Sequence, residues 1–281
     1  MSESAGGPPE QEPGPRQPPA YGQYSSGGEP QPPQGGYGPP PAGPPDPYRP
    51  GGDRPVSVGE AFSWAWSSFG RSAGPWLGAM LIVLMIGGAA SVLLTPDLRM
   101  VIENYDDPNL ATDLLQSTAT VTDVLLAAVL AVVNIVLGAL LAHGALAATH
   151  RGRAQFADFF AVRHLGAVLL LGVINGLLTF VLAFVPLLGS VLRLVIGFFL
   201  AAALFFVVDK GQDAVTAIRS SARLVSRHAG IVLLTIVLCL VTVFVGFLLC
   251  FVGAFVAVPV AMLTGAFVYR RLTGEQPVTP T

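Results

Sequence analysis

The chain has 281 residues, 52% of them hydrophobic and only 11% charged, far below the roughly 25% charged residues of a soluble globular protein, which argues against a soluble fold. A formal net charge of -2 and a pI near 6.1 give no global basic signature, so nucleic acid is not expected as a partner. The composition instead fits an all-α integral membrane protein.

Residues 1–55 hold 17 of the 24 prolines and 12 of the 32 glycines, with Tyr21, Tyr24, Tyr37 and Tyr48 interspersed. Such a segment cannot bury a core and reads as a disordered cytoplasmic tail with polyproline II character. The run 39–45, made only of Pro, Ala and Gly, suits an aromatic docking groove because its extended helix is already formed. The plainer reading is a soluble spacer. The tail contains no apolar stretch of signal-peptide kind, so the first hydrophobic segment is expected to serve as an uncleaved anchor.

Order is predicted to begin at Ser57-Val58-Gly59-Glu60, which has the form of a capping box. Val58, Ala61, Phe62, Ala65, Trp66 and Phe69 follow on one helical face. The segment is too short and polar to span and belongs at the membrane surface, where Trp64, Trp66 and Trp76 favour the interface. An uncharged run, 73–94, is long enough to cross a hydrocarbon core of about 30 Å. Residues 95–122 then form a polar loop with Asp97, Glu103, Asp106, Asp107 and Asp113 against the single Arg99.

The second span is expected at 124–148. Arg151-Gly152-Arg153 and a short segment with Phe156, Phe159 and Phe160 on one face come next. The third span covers 165–185, and Pro186-Leu187-Leu188-Gly189 supplies a tight turn into the fourth, 190–208. In the polar segment 209–228, Ala214, Ala217, Ile218, Ser221 and Val225 form an apolar stripe, and Arg219, Arg223 and Arg227 a basic one. The fifth and sixth spans are placed at 229–249 and 252–269, with Pro259 expected to kink the sixth. This gives a membrane domain at 56–274 and a short cytoplasmic tail at 275–281.

Arg227-His228-Ala229-Gly230 repeats Arg163-His164-Leu165-Gly166 and, more faintly, Arg71-Ser72-Ala73-Gly74. Each stands between an amphipathic segment and an apolar run. The chain therefore reads as three helical hairpins, each led in by a short interfacial helix. The basic residues collect on one side of the six spans: Arg49, Arg54, Arg71, Arg151, Arg153, Arg163, Lys210, Arg219, Arg223, Arg227, Arg270 and Arg271, against Arg99 and Arg193 on the other. By the positive-inside rule both termini are expected to be cytoplasmic.

Within the spans, Asn134, His143, Asn175 and Arg193 are the polar candidates for function. Arg193 is near enough to a helix end to snorkel or to bond a neighbouring helix. His143 is deeper and could relay protons or pair with Asn175; a plain interhelical hydrogen bond is the simpler role. Gly172 and Gly176 flank Asn175 with the spacing that lets helices approach closely. Asp209 and Asp213 are expected to cap a surface helix and balance Arg219 and Arg223. His150, His164 and His228 have no ligand spacing, and Cys239 and Cys250 would stand about 16 Å apart on one helix, so neither a metal, a cofactor nor a disulfide is expected. No nucleophile elbow or phosphate-binding glycine loop occurs, so catalysis is not expected.

Arg163, Arg219, Arg223 and Arg227 are candidate contacts for anionic inner-leaflet lipid. Val56 to Trp66, Asp209 to Gly230 with its Ser-Ala-Arg-Leu centre, and Pro259 leading to Tyr269-Arg270-Arg271-Leu272 resemble actinobacterial proline- and glycine-rich membrane proteins. Their core is similar to the membrane domain attached to some glycerophosphoryl diester phosphodiesterases. The resemblance covers about 56–274 and implies a multi-span helical fold without the catalytic barrel. The expected role is a non-enzymatic scaffold or accessory factor of the cell envelope, whose tail recruits protein partners and whose core meets lipid or a second copy of the chain. A small-solute transporter and a lipid-binding or lipid-sensing protein are the alternatives.

Overall fold

The computed structural model describes residues 56–116, 119–161, 163–248 and 253–280; the expected disordered tail and Cys250 lie outside them. Every regular element among the described residues is a helix: α1 (Val58–Arg71), α2 (Ala73–Leu94), α3 (Pro96–Glu103), α4 (Leu110–Gln116), α5 (Val121–Arg151), α6 (Phe156–Phe159), α7 (Leu165–Ala183), α8 (Pro186–Leu200), α9 (Ala203–Lys210), α10 (Ala214–Arg227), α11 (Ala229–Leu248) and α12 (Ala254–Leu272). Six segments are long and apolar enough to cross a membrane: α2, α5, α7, α8 with α9, α11 and α12. The protein is a multi-pass helical membrane protein.

The three basic repeats mark the same junction. Arg71 ends α1 and Arg227 ends α10; Ser72 and His228 hold nearly identical backbones (φ -133, ψ 29 and φ -127, ψ 33), and α2 and α11 start on the next residue. His164 precedes α7 in the left-handed region instead (φ 60). Each junction breaks a short amphipathic helix from a long apolar one.

α5 is the central helix, in contact with α2, α7, α9 and α12. Its 31 residues reach about 46 Å at 1.5 Å per residue, more than a hydrocarbon core of about 30 Å. The helix is therefore longer than the core it crosses, and His150 and Arg151 stand in its last turn. α7 lies against α5 through the predicted small-residue pair: a Cβ on Gly176 would stand 2.7 Å from the Ala128 carbonyl oxygen. α1 packs on α12, with Trp64 against Phe267 at 5.4 Å, so it is fastened to the sixth span as well as being amphipathic.

Several local expectations are corrected. On α1, Trp64 is buried and Trp66 is exposed, because Trp64 has Phe267 and the C-terminal segment to pack against. Of the three phenylalanines after α5, only Phe159 enters the core, edge-on to the buried Trp76 at 4.8 Å; Phe156 and Phe160 stay exposed. Helices α3 and α4 occupy much of the expected polar loop. Residues 186–189 form the first turn of α8, with proline at its start, where a missing N–H costs nothing.

The fourth span is broken at Ala201 and Ala202. Buried Ser221 of α10 serves the break from the side: its hydroxyl donates to the Phe199 carbonyl (2.7 Å) and accepts from the Ala202 N–H (3.1 Å). Among the described residues of α8 only the small Gly189 is buried, whereas Phe205, Phe206, Val207 and Val208 of α9 all join the core.

Candidate functional site

Among the described residues, a cluster of polar side chains forms at the end where α5, α9 and α12 finish. At its centre is Arg270, only 3% exposed. A buried guanidinium is costly unless its donors are satisfied, and here they are. Arg270 Nη2 donates to Asp209 Oδ1 (2.6 Å) and contacts His150 Nε2 (2.5 Å), its Nε donates to Thr149 Oγ1 (3.2 Å), and its Nη1 pairs with Glu275. Tyr269 Oη donates to Asp209 Oδ2 at 3.1 Å, and Lys210 bridges to Glu275. Guanidinium nitrogens only donate, so His150 Nε2 accepts and its proton resides on Nδ1.

The C-terminal segment closes this cluster from below. The Val278 N–H donates to the Thr149 carbonyl (2.8 Å), and the Trp64 indole N–H donates to the Val278 carbonyl (2.9 Å). Gly152 ends α5 in the left-handed region (φ 72), and a Cβ there would stand 3.0 Å from Pro280. Residues 275–280 are thus a strap laid on the middle of α1 and the end of α5. The hydrogen bond from Lys210, with the positive charges of Arg270 and Lys210, holds the Glu275 carboxyl below the usual carboxylate range.

Beside the cluster is a cavity of about 390 Å³. His143, His150 and Arg151 of α5, Asp158 of α6, and Arg163, Asp209 and Arg270 supply its polar lining. Arg151 pairs with Asp158, and Arg270 with Asp209. His143 Nε2 is buried with no hydrogen-bond partner among the described residues. No three His, Cys, Asp or Glu side chains among the described residues converge as metal ligands would.

The four intramembrane candidates do not form one site. His143 reaches the cavity and does not meet Asn175. Arg193 Nη1 donates to Thr179 Oγ1 (2.7 Å), whose hydroxyl donates to the Asn175 carbonyl (2.8 Å), so Arg193 joins α8 to α7. Asn134 is exposed on α5. Arg219, Arg223 and Arg227 are all exposed on α10, while Ala214, Ala217, Ser221 and Val225 are buried on its other face, as the stripes predict. Arg163 is separate from that row, at the cavity. Asp213 caps α10 by accepting from the Thr216 N–H (3.0 Å), and the Thr216 hydrogen bonds hold its carboxyl below the usual range. Asp209 does not balance the α10 arginines; its partner is Arg270.

Over 253 aligned residues the chain is 32% identical to the uncharacterized protein Mb2590 of Mycobacterium bovis, a match covering 86% of this chain and 75% of that relative. It is 31% identical over the same coverage to the uncharacterized protein Rv2560 of Mycobacterium tuberculosis. No protein-family model matches the chain, and no solved structure is significantly similar to it.

Proposed function

The chain belongs to the family of the mycobacterial proteins Mb2590 and Rv2560, and from that premise we propose that it is a non-enzymatic scaffold or accessory protein of the bacterial plasma membrane, held by anionic inner-leaflet lipid at its basic end. The observation that carries this reading is α10. Its buried face is fixed on α8 and α9, and its arginine row at 219, 223 and 227 stays exposed. Each arginine near an anionic leaflet contributes about 1 kcal/mol, so the row favours one membrane face. On this reading both termini are cytoplasmic and the tail 1–55 recruits protein partners.

Changing Arg219, Arg223 and Arg227 together to Gln is expected to lower the anionic phospholipid retained through detergent purification, measured by mass spectrometry. Unchanged retention would overturn the lipid reading. Reporters near Asp107 and Gln212 are expected on opposite sides of the membrane. Partners captured by the whole chain and lost on deletion of residues 1–55 are expected for the scaffold role.

A transporter is the second reading, favoured by the broken fourth span. The break is served by Ser221 rather than aimed at a polar chamber. The cavity beside it, about 270 Å³, is walled by groups such as Ala201, Phe205, Val232 and Leu240. Solute uptake into proteoliposomes that is lost in His143→Leu or Arg193→Leu variants would reverse this ranking.

A further inference from the structure

We propose that the cavity at the ends of α5, α9 and α12 binds a phosphate group, the chemistry shared by a phospholipid headgroup and a free phosphate. Charge decides the sign of the ligand. Both carboxylates of the lining are already neutralised inside the protein, Asp158 by Arg151 and Asp209 by Arg270. Arg163 also lines the cavity and has no ion pair or hydrogen bond among the described residues. The lining therefore carries one uncompensated positive charge.

Donors decide the ligand's chemistry. His143 Nε2 is shut off from solvent and has no partner, although a buried polar nitrogen is costly to leave unpaired. His150 accepts from Arg270 through Nε2 and so keeps an Nδ1–H to give. The Arg163 guanidinium with its free donors and the His150 Nδ1–H suit a group with several acceptor oxygens and negative charge, with the His143 ring at the inner wall of the same space. Space and position agree. The cavity of about 390 Å³ falls within the roughly 300–1,000 Å³ of small-molecule sites, and it runs along the last two turns of α5 to the polar end of the helix. The arginines of α10 take no part in its lining, so this site goes beyond the lipid-facing row and can fail independently of it.

The test is titration of inorganic phosphate into the full-length, lipid-stripped protein at low ionic strength by calorimetry, alongside native mass spectrometry of protein purified with its lipids. The expected result is one phosphate, or one retained phospholipid, per chain. Arg163→Gln should weaken it at least about tenfold, the loss of one charge-assisted hydrogen bond, and His143→Leu should weaken it in the same direction. Arg163 is exposed, so the Gln variant is expected to fold, checked by an unchanged melting temperature. Saturation by inorganic phosphate assigns a free phosphate; saturation only by retained phospholipid assigns a headgroup. Binding by neither, or binding undiminished in Arg163→Gln, overturns the site. Loss in the triple α10 variant with none in Arg163→Gln also overturns it, while leaving the lipid-facing row intact.

Discussion

The two ends of the helical domain are built from similar apolar residues, but the basic end alone gathers a large share of them into a core. At the basic end, Trp76 of α2, Leu141 to Thr149 of α5, Val168 of α7, all of α9's phenylalanines and Leu263 to Tyr269 of α12 are largely buried in one core. At the other end Leu93, Leu125, Leu177, Val181, Phe244 and Leu248 are exposed. An apolar surface of that extent suits lipid, not water. The difference teaches where specificity resides: the apolar end needs only to be greasy, whereas the basic end must satisfy a buried arginine and fill space around fixed rings.

Arginine is the sharpest probe of that contrast. Arg270→Met should destabilise the protein by about 3–5 kcal/mol, because it removes the buried cation paired with Asp209 and leaves that carboxylate only the Tyr269 hydroxyl and the more distant, exposed Lys210 (3.4 Å). Arg193→Gln, which removes only the bond to Thr179 at the exposed end, should cost under about 1 kcal/mol. Equal losses in thermal or denaturant unfolding in detergent would break the comparison.

Added volume gives the next largest effect. A Cβ on Gly144 would stand 2.2 Å from Phe159 Cε1, and that ring is held between fully buried neighbours. Gly144→Ala should therefore cost about 1–3 kcal/mol through overpacking. Gly88→Ala, toward the other end of α2, meets nothing within 4 Å and should be neutral or stabilising by up to about 1 kcal/mol, the gain of replacing a helical glycine. A loss at Gly88 as large as that at Gly144 would show that both ends are tightly packed.

The greasy end was readable from sequence, and the basic end only in part. An uncharged run such as 73–94 has one physical interpretation in a chain of this composition, and α2 keeps those bounds. The arginine–histidine junctions were equally plain, because a basic residue between an amphipathic and an apolar segment marks a boundary. On α1, periodicity places Trp66 at the edge of the apolar face and Trp64 just outside it, yet it is Trp64 that is buried. The choice was made by Phe267 and Val278, some two hundred residues away. The Arg270 cluster was hidden for the same reason. Asp209, His150 and Arg270 each had a sufficient local explanation, as a cap, a boundary residue and a topology signal, and only the meeting of α5, α9 and α12 joins them. The break at Ala201 and Ala202 gave no local signal either, since alanine is the best helix former; its cause is Ser221 on another helix.

The smallest expected effect concerns the strap, the part of the basic end with the least packing behind it. Glu275 is held by Lys210 and Arg270 in the folded protein, so its carboxyl titrates below its unfolded value. The sign follows: a lowered acid contributes its full stabilisation above the unfolded value, about pH 4.3, and loses it as pH falls through the folded one. Protection of the Val278 amide against hydrogen exchange, with Trp64 fluorescence as a second reporter, should therefore be flat from neutral pH down to about pH 5 and decline in more acidic solution. Glu275→Gln should remove part of that protection at neutral pH and abolish the acid-dependent step. Global unfolding should hardly change, because the core from Trp76 to Tyr269 does not depend on the strap. If acid or Glu275→Gln instead lowered the stability of α5 and α12 together, the strap would be part of the packed core, and the basic end would be a single cooperative unit from Arg270 to Pro280.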